Sequence, residues 1–281
     1  MHLTIVGNRA AMPADGAASS GYLVDTGRSK ILLDCGPGIA VMLTKYMHAS
    51  ELDAVVISHM HLDHCYDVLP IGKQAMLPYG KTWLVDTDGE GEFHGEAERE
   101  RIKLFVPAGA RETLDRLAEL FPVQTIPHLN RAFDFAYEVI EYERGAAYPL
   151  DDCTITMVPM VHTAPDCGVR IDSPTGSVAF TGDTGWNENL VTLADKVDIF
   201  LAEASLAQPD HTAHGHLSAT EVGKAAAAGG ARSVVLTHFT APQDEWKEAR
   251  RADAAAEFDG PVHIGEPGMR FEVPAEPWER S

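Results

Sequence analysis

Short, nearly continuous apolar runs, separated by polar or glycine-rich segments, dominate the chain. Residues 54–58 (Ala-Val-Val-Ile-Ser) form one such run, of a length that suits a buried strand. Similar runs at 102–106, 154–159, 177–181, 198–202 and 233–237 predict further strands. The first forty residues read as a meander: strands at 3–7, 21–25 and 30–33, separated by a small-residue loop at 8–20 and a Thr26-Gly27-Arg28-Ser29 turn. Gly36-Pro37-Gly38 stops the third strand and precedes a helix expected to reach about His48. Helical stretches at 111–120, 188–194, 218–228 and 245–258 fall between the later strands. Strands alternating with helices after an antiparallel start predict an α/β architecture, a mixed sheet system with helices outside.

A chain of 281 residues can bury a full core without disulfide or metal staples. No solenoid repeat and no low-complexity linker interrupts it, so the expectation is one domain over residues 1–281. Residues 86–100 (DTDGEGEFHGEAERE) depart from the pattern and read as an acidic surface insertion: a plain loop, a lid or an oligomer contact. Apolar residues at 45% and charged residues at 23% exclude a disordered chain. No run approaches the ~18 apolar residues that would span a bilayer. Met1 opens directly onto the strand-like Leu3-Thr4-Ile5-Val6, so neither a signal peptide nor a membrane is expected, and the address is cytoplasmic.

Charge narrows the partners. With 22 Lys and Arg against 42 Asp and Glu, the net charge is −20, which argues against a long nucleic acid, whose affinity comes mainly from basic residues. It does not exclude a small anionic substrate, because bound cations can supply positive charge locally. The four cysteines (Cys35, Cys65, Cys153, Cys167) form no C-x-x-C pair and read as reduced structural thiols.

Histidine is the unusual quantity, with 13 in all. Directly after the 54–58 run comes His59-Met60-His61-Leu62-Asp63-His64, which places four potential metal ligands within six residues at a strand's carboxyl end. Three imidazoles and a carboxylate suit a borderline divalent metal. In extended chain His59 and His61 project to one side, while Asp63 and His64, in the following turn, can address a second position.

This motif resembles the signature of the metallo-β-lactamase-fold hydrolases, and the remaining landmarks follow in the family's order. Val161-His162-Thr163, Thr181-Gly182-Asp183-Thr184 and Leu236-Thr237-His238-Phe239 each stand at the end of a predicted strand. The resemblance implies a four-layer αββα fold, two mixed sheets sandwiched by helices. It also implies His59, His61 and His162 on one metal, Asp63, His64 and His238 on a second, and Asp183 bridging the two. Two divalent cations ~3.5–4 Å apart can share one water and lower its pKa toward neutrality. Asp63, as a ligand, could also orient that nucleophile. Zn²⁺ suits the His/Asp donor set first, with Mn²⁺ and Fe as alternatives.

Phe200-Leu201-Ala202-Glu203-Ala204-Ser205 and Gly215-His216-Leu217-Ser218 resemble elements of the phosphodiesterase branch, which includes ribonuclease Z-like enzymes. There the glutamate holds the histidine, which assists at the phosphate or leaving group; carried over, His216 is the catalytic donor and Glu203 its orienter. Ser218 followed by Glu221 also reads as a capping box opening a helix. The tRNA 3′-processing enzymes carry a basic arm, and the 21 positions between His162 and Asp183 leave no room for one. The C-terminal half is similar instead to actinobacterial cyclic-nucleotide phosphodiesterases of an atypical class II group. The resulting expectation is hydrolysis of a small phosphodiester, with 3′,5′-cyclic nucleotides first. The alternatives are a lactone, thioester or other carbonyl substrate, then a tRNA 3′-endonuclease, an iron-dependent oxidoreductase or an inactive metal-binding protein. Lys73, Tyr79, Arg99 and Arg170 are candidates for phosphate contact, and a homodimer is compatible with the sequence.

Overall fold

The apolar runs pair into two seven-stranded sheets. The computed structural model describes residues 1–77, 100–210, 212 and 215–273. The first sheet contains β1 (His2–Gly7), β2 (Gly21–Asp25), β3 (Lys30–Leu33), β4 (Ala54–Val56), β5 (Ile102–Pro107) and β6 (Tyr137–Tyr142). The second contains β7 (Ala147–Pro149), β8 (Thr154–Pro159), β9 (Cys167–Ser173), β10 (Gly176–Phe180), β11 (Ile199–Glu203), β12 (Ser233–Thr237) and β13 (Val262–Ile264). β14 (Arg270–Glu272) returns to pair with β1 in the first sheet.

Both sheets repeat one pairing pattern. β14, β1, β2 and β3 are joined antiparallel, and β3 through β6 run parallel. Likewise β7 through β10 are antiparallel, and β10 through β13 parallel. Parallel strands need helical crossovers, and these cover the outer faces. Over the first sheet lie α1 (Ile39–Leu43), α2 (Leu62–Cys65), α3 (Val68–Ala75), α4 (Ala110–Leu120) and α5 (Ala132–Phe135). Over the second lie α6 (Asn189–Leu193), α7 (Ala219–Gly229) and α8 (Asp244–Ala255).

Burial on both faces explains why the central strands read as continuous apolar runs. Leu104 and Val106 of β5 pack under helices with Leu69 and Leu114, while Phe105 between them faces the other sheet. In β11, Ile199 and Leu201 face the first sheet, and Phe200 and Ala202 face α7 residues such as Val222. The layers are therefore helix, sheet, sheet, helix, the sandwich that the family resemblance implies.

The expected strand bounds agree with β2, β3, β8 and β12 and differ by a residue or two elsewhere. The helix expected to reach His48 ends at Leu43, and the chain continues through turns to a 3₁₀ segment at Ala49–Glu51 that carries a His48/Glu51 capping box. The insertion at residues 86–100 lies, but for Glu100, outside the described residues, as do Tyr79 and Arg99. No helix among the described residues is long and apolar enough to cross a membrane.

Candidate metal centre

The histidine motif follows β4, and Asp34, Asp183, Glu203 and His238 stand at or just beyond the ends of β3, β10, β11 and β12. Strand carboxyl ends from both sheets thus meet along one edge of the sandwich, where open α/β sheets place their ligands. Two of these positions, Asp34 and His238, take left-handed backbone conformations (φ 57° and 55°), which cost energy in non-glycine residues and concentrate at functional sites. Gly36 lets the chain pass directly under the motif; a Cβ there would lie 1.8 Å from the Asp63 carbonyl oxygen.

All seven sequence-predicted metal ligands converge. Three groups bring their ligand atoms within 4.8 Å of one another: His59, His61 and His162; Asp63, His64, Asp183 and His238; and Asp183, Glu203, His216 and His238. In the first, His59 Nε2 is 2.9 Å and His162 Nε2 3.1 Å from His61 Nδ1. In the second, His64 Nε2 is 3.2 Å from His238 Nε2 and 3.3 Å from Asp183 Oδ2, and His238 Nε2 is 3.3 Å from Asp63 Oδ2. Asp183 Oδ2 also lies 4.0 Å from His59 Nε2, between the two groups.

The opposite edges of the rings are anchored, as in built metal sites. His64 Nδ1 donates to Asp34 Oδ2 at 2.7 Å, His162 Nδ1 donates to the Gly215 carbonyl at 2.8 Å, and His238 Nδ1 meets Ser205 Oγ at 2.9 Å. His59 Nδ1 faces Ser58 Oγ at 3.1 Å and Asp166 Oδ2 at 3.2 Å. With one nitrogen so engaged, the other turns a lone pair inward, and several lone pairs pointing at one space repel unless a cation lies among them. Charge points the same way. Asp34, Asp63, Asp166, Asp183 and Glu203 crowd this region, and among the described residues their ion pairs here are with imidazoles. Carboxylates of this density, with only imidazoles to offset their charge, are costly to bury, so the donor set fits divalent cations.

With only the protein's own charges present, burial and the Asp183 carboxylate push Asp166 well above the usual carboxylate range. Burial likewise raises Asp34, against the stabilising His64 ring. Asp63 moves the other way: although burial opposes it, hydrogen bonds from His238 and His64 hold it far below its ordinary value. Burial would lower His216, but the Glu203 carboxylate, 3.1 Å away through both oxygens, raises it to about 9. Glu203 is itself fixed by the Thr184 amide at 2.7 Å and the Ser205 hydroxyl at 2.5 Å. His216 stands two residues before Ser218, the N-cap of α7, where the expected Ser218/Glu221 capping box is formed.

Some candidates are not brought to the centre. Arg170 is held by Asp172 and by the Leu193 and Asp195 carbonyls, and Lys73 donates to the Phe121 carbonyl. The four cysteines are free, and burial raises Cys65 to about 12 and Cys153 and Cys167 to about 11, so none offers a ready thiolate. Conversely, Asp34, Ser58, Asp166 and Ser205 were not among the expected site residues. An aspartate closing an apolar strand, as in Leu32-Leu33-Asp34-Cys35-Gly36, was the one visible signal among them.

A two-sheet sandwich with a histidine-rich edge defines a metallo-β-lactamase-type hydrolase. The model of the beta-lactamase superfamily domain matches residues 29–239, and the chain belongs to that superfamily. An uncharacterized protein of Mycobacterium tuberculosis is 31% identical over 97% of this chain and 92% of its own length. YhfI of Bacillus subtilis, described as a probable metallo-hydrolase, is 27% identical over 97% of this chain and its whole length. The YhfI crystal structure superposes with a TM-score of 0.75, covering 96% of this chain and 98% of that one at 24% identity. Ribonuclease Z of Mycobacterium bovis is 25% identical over 97% of this chain and 98% of the enzyme. The protein is a metal-dependent hydrolase.

Proposed function

We propose that the protein hydrolyses a small phosphodiester, with 3′,5′-cyclic nucleotides the leading substrates. The observation that carries this reading is the Glu203–His216 pair, a buried carboxylate holding an imidazole whose Nδ1 also lies 3.8 Å from Asp183 Oδ2. Breaking a phosphodiester requires a proton for the departing alkoxide, and a positioned imidazolium is the group suited to give it. Ribonuclease Z, whose name denotes a nuclease, supports phosphodiester chemistry as the starting point.

His59, His61 and His162 would hold one divalent cation, and Asp63, His64 and His238 a second, with Asp183 between them; zinc fits the nitrogen-rich donor set first. Two bound divalent cations supply Lewis acidity, lowering the pKa of a water toward neutrality and offsetting charge on phosphoryl oxygens. Asp63 receives the Ala11 amide at 2.7 Å on Oδ2, which fixes its carboxylate for the work of ligand and orienter. Glu203 accepts the hydrogen bond from the Nδ1–H of His216, keeps the ring protonated and leaves its Nε2–H as the donor toward the substrate.

Size and polarity select against a polymer. A net charge of −20 disfavours a long polyanion, whereas one phosphodiester can be met by the local charge of the centre. Val161, exposed by 56%, directly precedes His162, Trp186, exposed by 41%, lies three positions after Asp183, and the Gly185 amide donates to the Val161 carbonyl at 2.8 Å, joining their loops. These apolar faces suit the organic part of a nucleotide.

The test is a substrate panel with metal add-back: bis-p-nitrophenyl phosphate and 3′,5′-cyclic nucleotides against lactones, thioesters and nitrocefin. Turnover of the carbonyl substrates alone would overturn the reading. Within the panel, His216→Ala is expected to keep its metal content and lose 10²–10⁴-fold in kcat, the range for a missing general acid. Wild-type rates in that variant would make His216 structural.

A further inference from the structure

We infer that Asp166 is a positioning residue for the cation of the first histidine group: its charge acts through the His59 ring while its backbone and carboxylate fix the turns that carry His162 and Asp183. The inference rests on the reading that His59, His61 and His162 hold a cation.

The placement of Asp166 is unusual for a residue kept only for the fold. It is 1% exposed, and its Oδ2 lies 3.2 Å from His59 Nδ1 and accepts the Asp183 amide at 3.0 Å. The other oxygen, Oδ1, has no hydrogen-bond partner among the described residues. A Cβ on Gly182 would sit 2.7 Å from that same Oδ1, so the turn before Asp183, where Gly182 has φ 61°, is shaped around the carboxylate. The Met160 amide donates to the Asp166 carbonyl at 3.2 Å, closing the loop that presents His162. The Cys167 amide reaches the Ser58 carbonyl at 3.3 Å, tying the same segment to the residue before His59. One residue thus touches an imidazole edge of the first group and the amide of the carboxylate between the groups with its side chain, and closes the loop of a second imidazole with its backbone.

A buried carboxylate with a half-satisfied hydrogen-bonding capacity burdens the folded state, and an amide of similar size, which still accepts from the Asp183 N–H, would fold at least as well. Its negative charge becomes favourable when a cation sits on the far side of the His59 ring, because the carboxylate raises the donor strength of Nε2 and offsets the cation's charge. Stability without metal and affinity for metal therefore pull in opposite directions at this position.

The experiment is zinc titration of the metal-free full-length chain against a chromophoric chelator, paired with urea unfolding of the metal-free protein. Asp166→Asn keeps an acceptor for the Asp183 amide and removes the charge; Asp166→Ala is carried alongside in case the amide side chain fails to fold. His162→Ala and His238→Ala assign each binding step to the first or second group. The expected result is 10–100-fold weaker zinc binding in the His162-dependent step of D166N, with metal-free stability equal to or above wild type. Equal zinc affinity in D166N and wild type overturns the inference. So does a loss of affinity that only parallels a loss of metal-free stability in both variants, which marks a purely structural residue. A wild-type protein that takes up no zinc fails the underlying metal reading instead, and the inference with it.

Discussion

The carbonyl oxygen of Asp63 lies where a Cβ on Gly36 would have to go, at 1.8 Å. Gly36→Ala must therefore move either the end of β3 or the histidine motif, and overpacking of this kind costs about 1–3 kcal/mol or more. Urea unfolding of the metal-free variant is expected to show that loss, and zinc titration a weakening of the second group, which holds Asp63. Trp186 makes a different claim. Trp186→Ala is expected to raise KM several-fold for a cyclic nucleotide while leaving KM for its base-free ribose cyclic phosphate unchanged, since only the nucleotide has a base to stack. Equal KM changes for both would remove Trp186 from base recognition. At this scale the candidate ligands of the histidine motif were legible, because His59, His61, Asp63 and His64 fall within six residues and have no ready structural use. Asp34 showed only as an aspartate closing an apolar strand, and Asp166 was not legible at all: it is a lone aspartate near a turn, and the burial that marks it exists only after both sheets have packed.

Among the elements, α7 is held by its first turn. Ser218 Oγ accepts the Glu221 amide at 3.4 Å, and Glu221 Oε2 accepts the Ser218 amide at 2.9 Å, in a buried setting. Ser218→Ala is expected to cost about 1 kcal/mol in urea unfolding. It should also loosen the segment that leads back to His216, lowering kcat more than it raises KM; an unchanged kcat would separate the cap from the chemistry. The central strands were legible because burial on both faces leaves an uninterrupted apolar run. β6 (Tyr-Glu-Val-Ile-Glu-Tyr) and β9, with Arg170 and Asp172, were missed because charged side chains break that run, at exposed positions in β6 and half-buried ones in β9. α3 was hidden by Pro70, which reads as a breaker but stands in the helix's first turn, where a missing amide hydrogen leaves no intrahelical bond unmade.

The whole molecule joins its sheets through the apolar layer between them and through the histidine edge. The first sheet supplies the motif after β4, and the second supplies His162, Asp183, Glu203 and His238. Chelation is therefore expected to lower Tm by several degrees or more, and zinc to restore it, because a ligand at a thousandfold excess over Kd stabilises by about 4 kcal/mol. A Tm indifferent to chelator and zinc would mean that the centre does not bind zinc in the folded chain. A mixed sheet system with helices outside was legible from the alternation of strands and helices, and the four-layer order came with the family resemblance; the matching pattern of the two sheets was not legible, since the shared feature is pairing direction rather than residue type.

The contacts across the centre have a further consequence in terms of chain connectivity. His61 and His162 are 101 positions apart, and His64 and His238 are 174 apart. A cation shared by such residues closes loops of those lengths and acts as a reversible cross-link between distant parts of the polymer. Closing long loops removes freedom mainly from the unfolded chain, and the increment grows only slowly with length, so both closures count nearly equally. Complete unfolding of the loaded protein then requires the ions to leave or to keep some chain segments tethered. Where ion release is the slower event, the lifetime of the fold at high temperature is a dissociation time, governed by kinetics rather than by the depth of the free-energy minimum.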